Sequence, residues 1–358
     1  MQRRNFIKGA GAAAVGAAAF PAPAISQGKR EWKMATTWPK NFPGLGTGAQ
    51  RIADAITEMS DGRLTVKLYA AGELIPAFEV FDAVRAGNVE MGHDAPLYWL
   101  AKAKACAFFC AVPGGLAPHE QYGWIHYGGG QALWDELYGQ FGLRAFVAGN
   151  TGPNWGGWFK KEINSLNDIQ GIKFRMSGLG GEVMNRMGVV AVNMPGGEIM
   201  QSLQSGVLDG AEWVNPWNDL AFGFHKVAKY YYGPGVHEPG SSQALTVNLE
   251  AYESLPKDLQ AIVRFAAEQE NTRMHAEMTA GNVPSLAALR KHGVEVRSFP
   301  EDVYKRLLDI SAEVVAEVGA EDALSTRIYE SWSTFRKGVV DLAPYSEMGY
   351  MRMRGLTA

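Results

Sequence analysis

A weak internal repeat constrains this chain more than any other feature of its sequence. In residues 32–93 a strand (32–38) leads to a helical stretch (48–59) that stops at Asp61-Gly62. A strand (64–69), Gly72-Glu73, a second helical stretch closed by Gly87 and a strand (89–93) follow. In residues 172–212 the order returns: strand (172–176), helical stretch (181–187) stopped by Gly188, strand (189–194), Gly197-Glu198, helical stretch (199–205) closed by Gly206, strand (207–212). Two such units predict two α/β lobes, each built on a mainly parallel sheet. Gly87 and Gly206 stand where a helix C-terminus needs a left-handed residue. Strand-like segments 143–148 and 244–248 are natural places for the chain to cross between lobes. Ligands in open α/β sheets bind at the carboxyl ends of strands. The residues after Trp38, His93, Met176 and Ala211 are therefore the first to inspect.

Beyond residue 255 the pattern turns helical, with a stretch at 258–275, an interruption at Pro284 and a resumption at 285–292. Residues 303–318 are amphipathic, with Leu307, Leu308, Ile310, Val314 and Val315 expected on one face, and 328–342 forms a last helix. The expected organisation is a leader (1–26), lobe I (27–148, with 244–300 returning to it), lobe II (149–243) and C-terminal helices (301–358).

The leader has a twin-arginine start, Arg3-Arg4-Asn5-Phe6-Ile7-Lys8, then a Gly/Ala-rich apolar run and small residues to Ser26. This is the pattern of a twin-arginine signal peptide, so a periplasmic location is expected. The leader carries three positive charges and no acid, so its loss takes the net charge from −3 to −6. That balance, with no basic block, argues against nucleic acid as a partner. Cys106 and Cys110 are the two cysteines. Four residues apart and flanked by apolar side chains, they are expected as buried thiols rather than a bridge or a redox pair.

Catalytic motifs are missing: there is no GxSxG, GxxxxGK[ST], HExxH or CxxC. His93, at a strand end, is expected as a hydrogen-bonded core residue. Two dense polar–aromatic segments remain, 150–159 and 210–217. Arg175 ends an apolar strand, where its guanidinium fork needs an anion, either an internal Asp or Glu in a structural salt bridge or the carboxylate of a ligand. Glu212 ends another strand beside Trp213, where it must pair, protonate or hold a cation. A hard cation takes oxygen ligands, and Glu212, the Asn154 amide, the Trp213 carbonyl and Glu238 are candidates.

These segments resemble the solute-binding proteins of tripartite ATP-independent periplasmic (TRAP) transporters, the DctP-type family, and most of all its α-keto acid-binding members. The resemblance rests on Trp38-Pro39-Lys40, residues 71–76, Asn150-Thr151-Gly152, residues 156–163, residues 171–175, Glu212-Trp213-Val214 and Tyr230-Tyr231-Tyr232. It spans nearly all of the chain after the leader. It implies a two-lobe periplasmic-binding-protein-like α/β fold with hinge strands and a long C-terminal helical segment. By position, Arg175 would clamp a substrate carboxylate, with Asn150 and Tyr98 hydrogen-bonding it. Glu212, the Trp213 carbonyl and Glu238 would hold sodium or calcium. Asn154 stands where relatives place Gln, one methylene longer. Trp38 and Trp99 replace other aromatics around the pocket, and Trp213 lies against the substrate.

The resemblance further implies a small 2-oxo or 2-hydroxy monocarboxylate as ligand, TRAP membrane subunits as partners, and allows a helix-swapped homodimer. Two other readings share these residues. One is the same fold holding a sugar acid, a dicarboxylate or an aromatic acid. The other is a twin-arginine-exported cofactor enzyme.

Overall fold

The computed structural model describes residues 28–357; the leader falls outside them. Among the described residues the strands are β1 (Arg30–Thr36), β2 (Leu64–Tyr69), β3 (Met91–Asp94), β4 (Leu143–Asn150), β5 (Gly157–Phe159), β6 (Lys173–Arg175), β7 (Val190–Val192), β8 (Gly210–Ala211), β9 (Tyr230–Tyr232), β10 (Ser242–Asn248) and β11 (Glu295–Arg297). They form two sheets, ordered β2-β1-β3-β10-β4 and β7-β6-β8-β5-β9-β11. The first five places of the second sheet reproduce the first, so the sequence repeat is a repeat of topology.

Both sheets are mixed rather than mainly parallel. Strands within a repeat, such as β1 with β2 and β6 with β7, pair in parallel through crossover helices. The fourth strand of each sheet has just arrived from the other one. It enters from the opposite end and pairs antiparallel, β10 on β3 and β5 on β8. Residues 151–156 and 233–241 make these two crossings. They are tied together by Asn154 N–H to the Glu238 carbonyl (3.0 Å) and Gly235 N–H to the Asn154 carbonyl (3.0 Å).

Local patterns explain the elements. On β1, Trp32 and Met34 are buried while Glu31 and Lys33 face out. The helix Leu45–Met59 buries Leu45, Ala49, Ile52, Ala53 and Ile56 at helical spacing. The helix Lys257–Lys291 runs unbroken through Pro284, against the expected interruption. Pro284 and its neighbour Val283 are exposed there, so water can serve the carbonyl that loses its N–H partner. This helix packs along β4 and then leads to β11, which joins the second sheet and not the first. A strand of three residues gave little sequence signal for that third crossing.

The C-terminal segment is three helices, Glu301–Gly319, Ala323–Leu342 and Glu347–Arg354. The first packs on the helix Gly178–Arg186 and buries Leu307, Ile310, Val314 and Val315, while Leu308 turns outward. Cys106 and Cys110 are buried free thiols, and burial pushes the Cys106 thiol up to about 12. No helix among the described residues is long and apolar enough to cross a membrane.

Candidate functional site

The carboxyl ends of β1, β3, β6 and β8 and both crossings converge on a small cavity, about 300 Å3 of space between atoms. The first half contributes Trp38, Leu45, Ala95, Leu97 and Tyr98; the second contributes Arg175, Ser177, Trp213 and Val214. The crossings add Thr151, Asn154, Glu238, Ser241 and Gln243.

Arg175 is 1% exposed. Phe174 before it anchors β6 by stacking on Phe159. The guanidinium Nη1 donates to the Glu212 carbonyl (2.8 Å) and carboxylate Oε2 (3.0 Å), and Nε donates to the Met194 carbonyl (3.3 Å). It lies 5.0 Å from the Trp213 ring centroid. Among the described residues Nη2 makes no hydrogen bond, so half of the fork remains to recognise an anion.

Behind this pair sit Glu238 and His237. Ligand atoms of Glu212, His237 and Glu238 lie within 4.8 Å of one another, all buried. Burial, then the charge of Glu212, pushes the Glu238 carboxyl up to about 7. Burial depresses the His237 imidazole, but the charges of Glu212 and Glu238 outweigh it and hold the group above its usual value. His237 Nε2 comes within 3.3 Å of Glu212 Oε1 without hydrogen-bond geometry.

The donor set fits a hard cation. A single amide nitrogen, Asn154 Nδ2, faces Glu238 Oε2 (2.9 Å), Glu212 Oε1 (3.3 Å) and the Trp213 carbonyl (3.5 Å). Three acceptors, two of them carboxylates, converge on a group with two hydrogens. Such a set of buried oxygens suits a small positive ion. Asn154 itself departs from the expectation, since its Oδ1 accepts from the Thr151 hydroxyl (2.8 Å) and its nitrogen faces the acids. The shorter side chain reaches the Thr151 hydroxyl in its own turn. A half-turn of the amide would exchange the two atoms.

Trp38 lines the cavity, held by Nε1–H donating to His93 Nδ1 (2.8 Å). His93 Nε2 faces the Ala148 carbonyl (3.1 Å), and burial keeps the ring neutral, its pKa down at about 4. The core role expected for His93 thus includes placing Trp38. Trp213 meets Trp38 edge-on across the cleft, and its indole N–H has no partner among the described residues. A Cβ on Gly196 would come within 2.4 Å of the Trp213 ring, so only glycine lets this indole sit there. Tyr98 also lines the cavity; burial raises its phenol well above the usual range, so it stays a neutral donor.

Two expected residues lie elsewhere. Trp99 points into the core of the first half against Phe81, its N–H donating to Asp94 Oδ1 (2.8 Å). Successive side chains of the one-turn 3₁₀ helix Pro96–Trp99 are about 120° apart, so Leu97 and Tyr98 reach the cavity while Trp99 turns into the core. Asn150 sits beside the cavity rather than on its wall. Its Oδ1 accepts from the Gly152 N–H (2.7 Å) and its Nδ2 donates to the Ser242 hydroxyl (3.1 Å), shaping the first crossing.

Sequence reasoning missed Ser177, Ser241, Gln243 and Asp219. Gln243 Oε1 is buried without a partner among the described residues. Asp219 lies below the site and accepts from Trp158 Nε1 (2.9 Å), the Tyr231 hydroxyl (2.8 Å) and the Val214 N–H (3.2 Å), fixing the Glu212–Trp213 turn. Its position, three residues after Pro216 in a helix first turn, was the available signal.

Residues 34–322 match the profile of bacterial extracellular solute-binding protein family 7, DctP. The chain belongs to this family. DctP proteins are TRAP solute-binding proteins of the periplasm, a transport family and not an enzyme family. A "monocarboxylate 2-oxoacid-binding periplasmic protein" of Nostoc sp. is 40% identical over 319 residues, 89% of this chain and 87% of that protein. A TRAP periplasmic solute-binding protein from Colwellia psychrerythraea, solved with bound calcium and pyruvate, has a TM-score of 0.88 at 39% identity, covering 91% of this chain and 99% of that one. One from Pseudoalteromonas atlantica, solved with sodium and pyruvate, has a TM-score of 0.88 at 38% identity with the same coverage.

Proposed function

We propose that this DctP protein captures a small 2-oxo or 2-hydroxy monocarboxylate, pyruvate- or lactate-like, together with sodium or calcium, and delivers it to TRAP membrane subunits. The observation that carries this is the unspent Nη2 of buried Arg175 on the wall of a cavity beside which three oxygens, from Glu212, the Trp213 carbonyl and Glu238, converge. A 2-oxo acid offers a carboxylate and an adjacent oxygen, a pair suited to bridging a guanidinium and a cation. Arg175 orients the anion, Tyr98 and Trp38 close over it, and Glu212, Glu238, the Trp213 carbonyl and the Asn154 amide would hold the ion. The small cavity favours such a ligand over a sugar acid or a bulky aromatic acid. Export by the twin-arginine leader is part of the proposal. So is a helix-swapped dimer, for which the exposed Tyr345, Tyr350, Met353 and Leu356 offer apolar surface.

Titration calorimetry with pyruvate, with calcium or sodium present and after chelation or dialysis against potassium, tests it. Pyruvate should bind with the ion and weaken by tenfold or more without it. Equal binding in both conditions would remove the cation from the reading, and no binding of any small 2-oxo or 2-hydroxy acid would end it.

A further inference from the structure

Beside the inner cavity lies a wider one, about 980 Å3 on the same measure, between the turn Pro96–Trp99, the helix Gly178–Arg186 and the helix Glu301–Gly319. Leu97 and Tyr98 line both. Leu97 packs across onto Gly178, where a Cβ would approach it to 3.2 Å and φ is +67°. The Tyr98 ring is braced by Phe78 at 5.0 Å and Trp38 at 6.0 Å between centroids.

The walls of the outer cavity include the apolar Met176, Leu179, Ala191, Val314 and Val318, with Asn185 and Asn193 among its polar residues. Its two cations are already committed: Lys104 pairs with Glu321, and Arg186 pairs with Glu182 and with both Glu317 oxygens. Among the described residues no free cation is left there for a second carboxylate, so the apolar part of its wall suits an uncharged apolar tail.

We propose that Tyr98 is the partition that sets ligand chain length: its ring closes the inner cavity around two- and three-carbon skeletons and shuts off a second compartment whose apolar walls would accept the tail of a longer 2-oxo monocarboxylate. This rests on the proposed binding of 2-oxo acids at Arg175. Opening the partition lets each added methylene bury against apolar wall, worth about four-fold in affinity apiece.

The test is calorimetry in calcium-containing buffer with pyruvate and with 2-oxohexanoate, whose tail is three methylenes longer. The wild type should prefer pyruvate. Tyr98→Ala and Tyr98→Leu should move the ratio of the two affinities toward 2-oxohexanoate by about fifty-fold, and Tyr98→Phe, which keeps the ring, should leave the ratio unchanged. Adding Ala101→Trp, at an exposed position on the outer cavity, should cancel the gain of Tyr98→Ala and leave pyruvate binding by the wild type untouched. An unchanged ratio in both Tyr98→Ala and Tyr98→Leu, an equal shift in Tyr98→Phe, or a gain that survives Ala101→Trp overturns the partition while pyruvate binding stands. A wild type that binds neither acid overturns the partition and the reading beneath it together.

Discussion

In the first sheet Thr36 ends β1 beside His93 of β3; in the second, Arg175 ends β6 beside Ala211 of β8. One residue further along stand the acids, Asp94 and Glu212. The two halves thus set the same topological positions with different chemistry. Thr36 donates to the His93 carbonyl (2.8 Å), as Arg175 donates to the Glu212 carbonyl (2.8 Å). A hydroxyl is exhausted by that bond, whereas a guanidinium has further donors, one of which faces the cavity. Among the described residues Asp94 has no cation beside it. It accepts from Trp99 and the Thr246 hydroxyl (2.9 Å), and burial lifts it to about 7. Glu212 is ion-paired with Arg175 and gathered with a second acid. A repeated framework can therefore place a guanidinium at the cavity, with an ion-paired acid against it, in one copy and internally satisfied groups at the same strand ends in the other, with the difference made by two side chains, while both copies line the cavity.

The comparison breaks most readily at its basic residue. Arg175→Ala should cost about 3–5 kcal/mol of pyruvate binding, a hundredfold or more, because an anion would be buried without its partner. Thr36→Ala should leave affinity within about three-fold and cost about 1 kcal/mol of stability. Calorimetry and thermal unfolding of both variants would show it; comparable loss of binding in the two would erase the distinction between the halves.

The acids sharpen the comparison next. Glu212→Gln should weaken calcium and pyruvate together, by about tenfold each or more, measured by titrating either component with the other saturating. Loss of one alone would separate anion binding from cation binding.

The smallest effect concerns Asp94. Its carboxyl sits at about 7 in the folded protein against an ordinary 3.8, so the native state holds an extra proton between those values. Its contribution to stability is present at low pH and is lost as pH rises toward 7. Asp94→Asn should therefore become steadily more stable relative to wild type from about pH 4 to 7 and level off above. Differencing against wild type removes His93, whose pKa of about 4 acts in the opposite sense up to about 6.5. A stability difference independent of pH would place Asp94 outside this account.

The repeat, the strand ends and the central pair were legible because they are local. Glycine stops, apolar periodicity and a charged residue on an otherwise apolar strand all leave marks within a few positions. Arg175, Trp213, Glu238, Asn154, Tyr98 and Trp38 do meet at one cavity, with Glu212 buried against Arg175 and Glu238. Trp99 and Asn150 were placed there by position alone, and a turn's facing or a competing backbone donor is not visible in a string of letters. Ser241 and Gln243 belong to the second crossing, and only antiparallel return of β10 brings them to the site.

The sequence by itself determined that two α/β units exist and that one strand end carries a guanidinium and another an acid, since both follow from spacing and residue type. Which end of each sheet meets the other, which face Asn154 turns to the acids, and that Tyr98 stands between two cavities were decided by tertiary structure. Those outcomes depend on packing among residues more than fifty positions apart, where the free energy lies in contacts that no local pattern encodes.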